Sequence, residues 1–446
     1  MSIPLDQIYN YIEKINNEIY NDCILIYHFW PHGSKKIQDL TGLHSHYKSL
    51  DQFTKIQYAN MIMHDQEPLK FDQYQGTDIL QHICDVSTDP STLRPFNWPI
   101  TENISPQELA LIEIYKNLNL RFAISNPFSV FDLTMLVHSE KNSAELKIYE
   151  DNGFIGVYWW CHAVIALDWF RYFQYVEQQK KVTKTFLIYN RAWSGTREYR
   201  LKFAEFLIRL GIEDHCQTNV NPVEPELGIH YELHTFSSPT WRPGIVLENY
   251  FPPTDSASWA SADIALGDYE ATDIEVVLET LFDDPRQQLT EKSLRPIACA
   301  QPFILASTPG SLEYLRSYGF KTFGDLWDES YDTTVDPEKR LHAIVDLMNQ
   351  IRHWLPHVRE SKMTQAQAIA DYNKKLFFSK EWQENIINEY KNNFSDAMKI
   401  MTANITSAHT KKLQKLKPDS VVSDEQKENR RKIFETADNV RKKFNS

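Results

Sequence analysis

Apolar positions along the chain alternate between helical spacing and short unbroken runs. Over residues 5–20, Ile8, Tyr9, Ile12, Ile15 and Ile19 recur near helical spacing, and Cys23-Ile24-Leu25-Ile26-Tyr27 follows as a run of strand length. Further runs at 59–63 and 122–125 alternate with a helical stretch over 106–118, which predicts a parallel sheet with crossover helices. From Tyr158-Trp159-Trp160-Cys161-His162 a long aromatic helix is expected to run to a polar hinge at Gln179-Lys180-Lys181. Its dense stripe, continued by Ala163, Ile165, Ala166 and Leu167, leaves no polar face and reads as core rather than as a platform for stacking bases.

A second alternation follows the hinge. Thr185-Phe186-Leu187-Ile188-Tyr189 predicts a strand, 198–210 a helix stopped by Gly211, and Ile274-Glu275-Val276-Val277-Leu278 another strand. Thr290 caps a short helix, Pro302-Phe303-Ile304-Leu305-Ala306 is a third strand, and Thr308-Pro309 opens a helix that Gly319 ends. Long helices over 337–351 and 364–400 complete the ordered chain. The expected fold class is α/β, with two doubly wound Rossmann-like lobes, over 1–178 and 179–335, facing a central cleft. Helices over 336–400 close the lobes, and a basic helical tail occupies 401–446. Ligands of open parallel sheets bind beyond the carboxyl ends of the strands, so the cleft is where chemistry is sought.

Composition narrows the setting. In 446 residues, 42% hydrophobic with 24 Phe, 22 Tyr and 11 Trp, there is ample material for two cores. Neither the opening Met1-Ser2-Ile3-Pro4-Leu5-Asp6 nor any later stretch has the pattern of a secretory leader or membrane span. The five cysteines lack Cys-x-x-Cys spacing and read as reduced, buried thiols, which fits a cytoplasmic setting; a monomer with no membrane partner is expected. A net charge of −13 argues against coating nucleic acid with the whole surface. It leaves room for a local basic track, because from Lys411 to Ser446 Lys and Arg outnumber Asp and Glu eleven to six.

The strongest candidate chemistry follows the hinge. Asn190 and Arg191 leave a strand into Ala192-Trp193-Ser194-Gly195-Thr196, and Arg197 and Arg200 begin the next helix. Cations beside a helix N-terminus suit a diphosphate; the ordinary alternative is a solvated first turn. Glu279-Thr280 ends another strand, and Leu289-Thr290-Glu291-Lys292 then begins a helix in which Glu291 can accept hydroxyl hydrogen bonds and Lys292 can neutralise a phosphate oxygen. The alternative is merely a good helix start, although Pro296 should end or kink so short a helix. Asp325, Asp328, Glu329 and Asp332 are hard oxygen ligands, but their spacing suits a loop and a helix cap.

Thr290-Glu291-Lys292 with Arg295-Pro296-Ile297, Gln301-Pro302-Phe303-Ile304, Thr308-Pro309-Gly310 and Gly319-Phe320-Lys321-Thr322-Phe323 resembles the donor lobe of GT-B glycosyltransferases, the fucosyltransferase type among them. Within these it resembles enzymes of tailed, T-even-like bacteriophages that attach a sugar, arabinose among them, to 5-hydroxymethylcytosine in DNA. The resemblance is strongest over 185–335 and departs from the fucosyltransferase pattern at Thr280, where Asn is usual, so a guanine nucleotide and fucose are not carried over. It implies that Glu291 and Lys292 hold a nucleotide sugar, UDP-linked, and that Arg191 and Arg197 hold its diphosphate, with no metal and no cofactor. Its implied acceptor is double-stranded hydroxymethylated DNA.

Sugar transfer of the inverting kind needs a carboxylate to take the acceptor proton. In Met61-Ile62-Met63-His64-Asp65-Gln66-Glu67-Pro68 an apolar strand ends in two carboxylates, and the segment resembles one recurring in those phage enzymes; Asp65 is the first candidate base and Glu67 the second. Acceptor contacts are sought at His28, Gly33, Ser34 and Lys35 and at His138, Glu140 and Lys141, with Lys35-Lys36, Lys180-Lys181, Lys184 and the tail as a phosphate track. Two alternatives stay open: transfer to a cell-surface or lipid-linked glycan, and a non-catalytic nucleotide-sugar or nucleic-acid binding protein.

Overall fold

A computed structural model describes residues 23–30, 57–64, 134–139, 144–151, 154–225, 227–237, 243–251 and 265–415. Strands β1 (Cys23–Trp30), β2 (Gln57–His64), β3 (Thr134–His138) and β4 (Ile155–Tyr158) form a parallel four-stranded sheet in that order, helix α1 (Ala144–Asp151) lying between the last two in sequence. Gly156 is needed where α1 crosses β4: a Cβ there would stand 2.6 Å from the Glu150 carboxylate and 2.9 Å from the Leu146 side chain. Helix α2 (Cys161–Phe170) follows, with a 3-10 turn over Arg171–Tyr175.

A second parallel sheet has the order β6-β5-β7-β8. Its members are β5 (Lys184–Asn190), β6 (Cys216–Val220), β7 (Thr272–Leu278) and β8 (Phe303–Ala306). Strands β5, β7 and β8 are buried along almost their whole length, as expected of strands covered on both faces. Their connections carry α3 (Tyr199–Arg209), α4 (Leu266–Glu270) and α5 (Glu291–Ala298), and α6 (Ser311–Ser317) follows β8. Gly211 and Gly319, at φ of +63° and +89°, stand just past α3 and α6, where the left-handed conformation favours glycine. Helices α7 (Pro337–Arg352), α8 (Pro356–Phe377) and α9 (Lys380–Lys415) complete the described chain, and none among the described residues is long and apolar enough to cross a membrane.

Two expectations need correction. The aromatic segment does not begin a helix at Tyr158: Ile155–Tyr158 is a strand, and the helix starts at Cys161 and gives way to a 3-10 turn after Phe170. A four-residue apolar run carries no period long enough to separate strand from helix. The single helix expected over 364–400 is two, because Ser379 accepts a hydrogen bond from the Trp382 amide and restarts the chain, while Trp382 packs beside Phe320 and Phe377. The segments over 5–20, 106–118 and 122–125 lie outside the described residues.

The aromatic stripe is core. Trp159, Trp160 and Trp169 are at most 1% exposed. Trp159 stacks on Tyr390 of α9 and donates to the Ile386 carbonyl, and Trp160 donates to the Leu289 carbonyl just before α5. Cys161, Cys216 and Cys299 are buried thiols, and burial pushes those of Cys216 and Cys299 well above the ordinary range. Iodoacetamide at about pH 8 should therefore leave both unmodified in the native protein and alkylate them in guanidinium. Peptide mass mapping reads the result, and rapid native labelling of either would refute their burial.

Candidate functional site

The order β6-β5-β7-β8 creates a switch point. From β5 the chain passes to β6 on one side and later to β7 on the other, so the carboxyl ends of β5 and β7 mark the place where ligands of open parallel sheets bind. Asn190 ends β5, and Glu279-Thr280 directly follows β7. Arg200 spans the two loops: Nη1 donates to the Ala192 carbonyl at 2.7 Å, and Nη2 to those of Leu278 and Glu279 at 2.7 and 3.1 Å. At 3% exposure its guanidinium serves the backbone of the switch point. Beside it, Tyr199 donates to the Glu279 carbonyl at 2.7 Å and stacks on Phe282.

Glu279 is fully buried and organises the start of α5. Its carboxylate accepts from the Thr290 amide at 2.9 Å, the Thr290 hydroxyl at 2.8 Å, the Ser293 hydroxyl at 2.6 Å and the Thr280 amide at 3.3 Å. Thr290 caps the helix by accepting from the Lys292 amide. Pro296 has no amide hydrogen to give to the Lys292 carbonyl, and the helix runs only two residues beyond it, to Ala298.

Glu291 and Lys292 sit side by side in that first turn. The Glu291 carboxylate is 1% exposed and lies 2.9 Å from Lys292 Nζ, while the lysine side chain is 20% exposed and also reaches Thr290 Oγ1. On the other side of Glu291 stands His162 of α2, its Nδ1 3.5 Å from Oε2 and its Nε2 3.1 Å from the Gln288 amide nitrogen.

The loop after β5 is tied down internally. Glu224, fully buried, accepts from the Trp193 and Ser194 amides at 3.2 and 3.3 Å and from the Ser194 hydroxyl at 3.1 Å. The Trp193 and Ser194 amides at that bend thus already face a carboxylate. Asn190 is buried, its amide nitrogen 3.4 Å from the Arg200 carbonyl, and Arg191 and Arg197 are half-buried on the loop between them. Asn190, Arg200, Glu279, Thr280, Thr290, Glu291 and Lys292 therefore all belong to the carboxyl edge of one sheet.

The first sheet reaches this edge through tyrosines. Tyr314 of α6 donates to the carbonyl of Ser139, the residue after β3, and its hydroxyl is 2.5 Å from that of Tyr158 at the end of β4; Tyr158 also bonds Tyr318, which donates to Glu389 of α9. His28 lies in β1 opposite Ile62, and His138 ends β3 opposite Tyr158. The candidates Asp65, Glu67, Gly33, Ser34, Lys35, Glu140 and Lys141 lie outside the described residues, as does most of the basic tail.

Lys180 and Lys184 face elsewhere. Lys180 Nζ donates to the Tyr269 and Thr272 carbonyls and to Gln301, at the amino end of β7, and burial lowers its ammonium to about 8. Lys184 Nζ donates to the Asp214 carbonyl. The carboxylates after Phe323 serve as caps: Asp328 accepts from Ser330, Glu329 from Thr322 and the Phe323 amide, and Asp332 from the Leu312 amide at the start of α6.

His162, Gln288, Ser293 and Glu224 are the participants that sequence reading missed. Ser293, three positions after the Thr290 cap, carried a legible signal in that spacing; Gln288, two residues before the cap, carried none of its own, and His162 and Glu224 are distant in sequence. Comparison with protein-family models, curated proteins and solved structures finds no match to this chain.

Proposed function

We propose that this protein is a GT-B glycosyltransferase that moves a sugar from a nucleotide donor, UDP-linked, to the hydroxymethyl group of 5-hydroxymethylcytosine in double-stranded DNA, without a metal or other cofactor. The observation that carries the transferase reading is the convergence, at the switch point of the second sheet, of the loops after β5 and β7 with the Glu291-Lys292 turn of α5. The tyrosine contacts from α6 to the ends of β3 and β4 support two Rossmann-like lobes meeting at a cleft. The DNA acceptor rests on the sequence resemblance.

In this reading the acceptor oxygen bonds the anomeric carbon as the bond from that carbon to the diphosphate oxygen breaks. The hydroxyl proton passes to a carboxylate, Asp65 first and Glu67 second, if transfer inverts. Negative charge gathering on the departing nucleoside diphosphate meets Lys292, Arg191 and Arg197. A base in duplex DNA has to leave the stack before its hydroxymethyl group can enter such a cleft.

The test is to incubate the protein with hydroxymethylated duplex DNA, plain duplex DNA and a panel of nucleotide sugars, and to weigh the released nucleosides by mass spectrometry. Hydroxymethyldeoxycytidine should gain one sugar residue, and Glu291→Ala should lower the rate by about 100-fold or more. Transfer only to a glycan or lipid-linked acceptor would replace the DNA assignment, and ligand binding with no turnover on any acceptor would remove the enzyme.

A further inference from the structure

We propose that His162 is a positioning residue that takes hold of Glu291 when Lys292 turns to a nucleotide diphosphate; this rests on the nucleotide-sugar reading above. His162 is 2% exposed and Gln288 1%. The Gln288 amide nitrogen donates to His162 Nε2, so the single proton of a neutral ring sits on Nδ1. The opposite arrangement, with the amide turned and Nδ1 bare, would aim a lone pair at the Glu291 carboxylate. Among the described residues Nδ1 has no hydrogen-bond partner, and Oε2 of Glu291 lies 3.5 Å from it. A closing movement of about half an ångström makes that contact a hydrogen bond.

Lys292 supplies the reason for the movement. Its ammonium now lies on Glu291, and with a side chain one-fifth exposed it is the member of the pair with a route to an incoming phosphate. Its departure removes positive charge from a carboxylate that is 1% exposed. A donor N–H drawn in from His162 offsets part of that loss, so affinity for the diphosphate includes the exchange. Because α2 follows β4, the exchange also ties donor binding to the chain segment of the first sheet.

Asparagine in place of His162 puts an amide nitrogen where Nδ1 stands, whereas glutamine reproduces only the distal nitrogen. Calorimetric titration of the full chain with UDP, GDP, CDP and ADP should give His162→Asn a Kd within about 3-fold of wild type and His162→Gln a Kd weaker by about 10-fold or more. In a Lys292→Met background, where no exchange occurs, His162→Gln should add nothing. Equal affinities of the Asn and Gln variants overturn the proposal, as does a His162→Gln effect that persists undiminished in the Lys292→Met background. An independent reading, free of variant folding, is the imidazole nitrogen spectrum of the wild-type chain, in which the nucleotide should shift one buried Nδ1–H resonance; no shift on saturation overturns it as well. Wild-type protein that binds none of the four nucleotides defeats the nucleotide-sugar reading itself, a result distinct from bound nucleotide with indifferent His162 variants.

Discussion

Glu279→Ala is expected to destabilise the protein by about 4–6 kcal/mol, at the top of the range for a single substitution. The carboxylate is fully buried and accepts four hydrogen bonds, two from Thr290 and one each from Ser293 and the Thr280 amide. Alanine leaves these donors facing a void that neither side chain can fill, since Thr290 and Ser293 are themselves buried. Each orphaned buried donor costs about 1–3 kcal/mol, and partial relaxation keeps the sum below the simple total. Glu279→Gln should fall between, because its amide NH2 meets donors where the carboxylate offered acceptors. Denaturant midpoints at constant slope measure both effects, and a Glu279→Ala midpoint equal to wild type would show that α5 is held by other means. Loss of ligand binding in this variant would follow from the helix start it organises, not from a lost ligand contact.

That same residue marks how far the sequence could be read. Strands β5, β7 and β8, the Thr290 cap and the Gly211 and Gly319 stops were legible because each follows from local chemistry: apolar runs, a capping hydroxyl, a left-handed position. Glu279 and Glu291 were legible as carboxylates near a site but not as buried ones, since burial depends on what packs over them. His162 is the clearest case. It sits 129 residues before Glu291 in the chain, inside an aromatic segment that reads as core, and it is core, yet its ring nitrogen faces the Glu291 carboxylate. Arg200 shows the reverse. Its position at the head of a helix resembled a phosphate grip, and only the fold reveals three carbonyls converging on its guanidinium. The Lys180 and Lys184 ammonium groups likewise bond to backbone carbonyls, including that of Thr272 at the start of β7, which pattern alone could not place.

Arg295→Met is expected to cost about 3–5 kcal/mol, and adding Glu275→Gln should recover most of it. Arg295 Nη2 lies 2.5 Å from Glu275 Oε1, the Tyr269 hydroxyl donates to the other carboxylate oxygen at 2.6 Å, and the guanidinium packs over the Tyr189 ring. Glu275 is fully buried, so removing Arg295 takes the cation from a charge that has no path to water. The double variant carries no such charge, and a Met of similar length fills the space of the guanidinium stem. Protons supply a second signature. Burial pushes the Glu275 carboxyl above its ordinary 4.5, with Arg295 and Tyr269 pulling it back. Without Arg295 the pull weakens and the native carboxyl rises further above its unfolded value. A raised carboxyl contributes stability that is fully present below the unfolded pKa and is lost as pH rises through the native one. The deficit of Arg295→Met should therefore be smallest near pH 5 and grow toward pH 8, while the double variant should lack this added slope. Denaturant midpoints across that range decide it, and a deficit flat in pH would mean that the arginine acts through packing alone. Glu275 lies on β7 and Arg295 near the end of α5, while Glu279, just after β7, holds the Thr290 cap at its start, so β7 and the residue that follows it clamp both ends of the helix that carries the Glu291-Lys292 turn. Loosening either clamp should displace that turn before it unfolds the sheet.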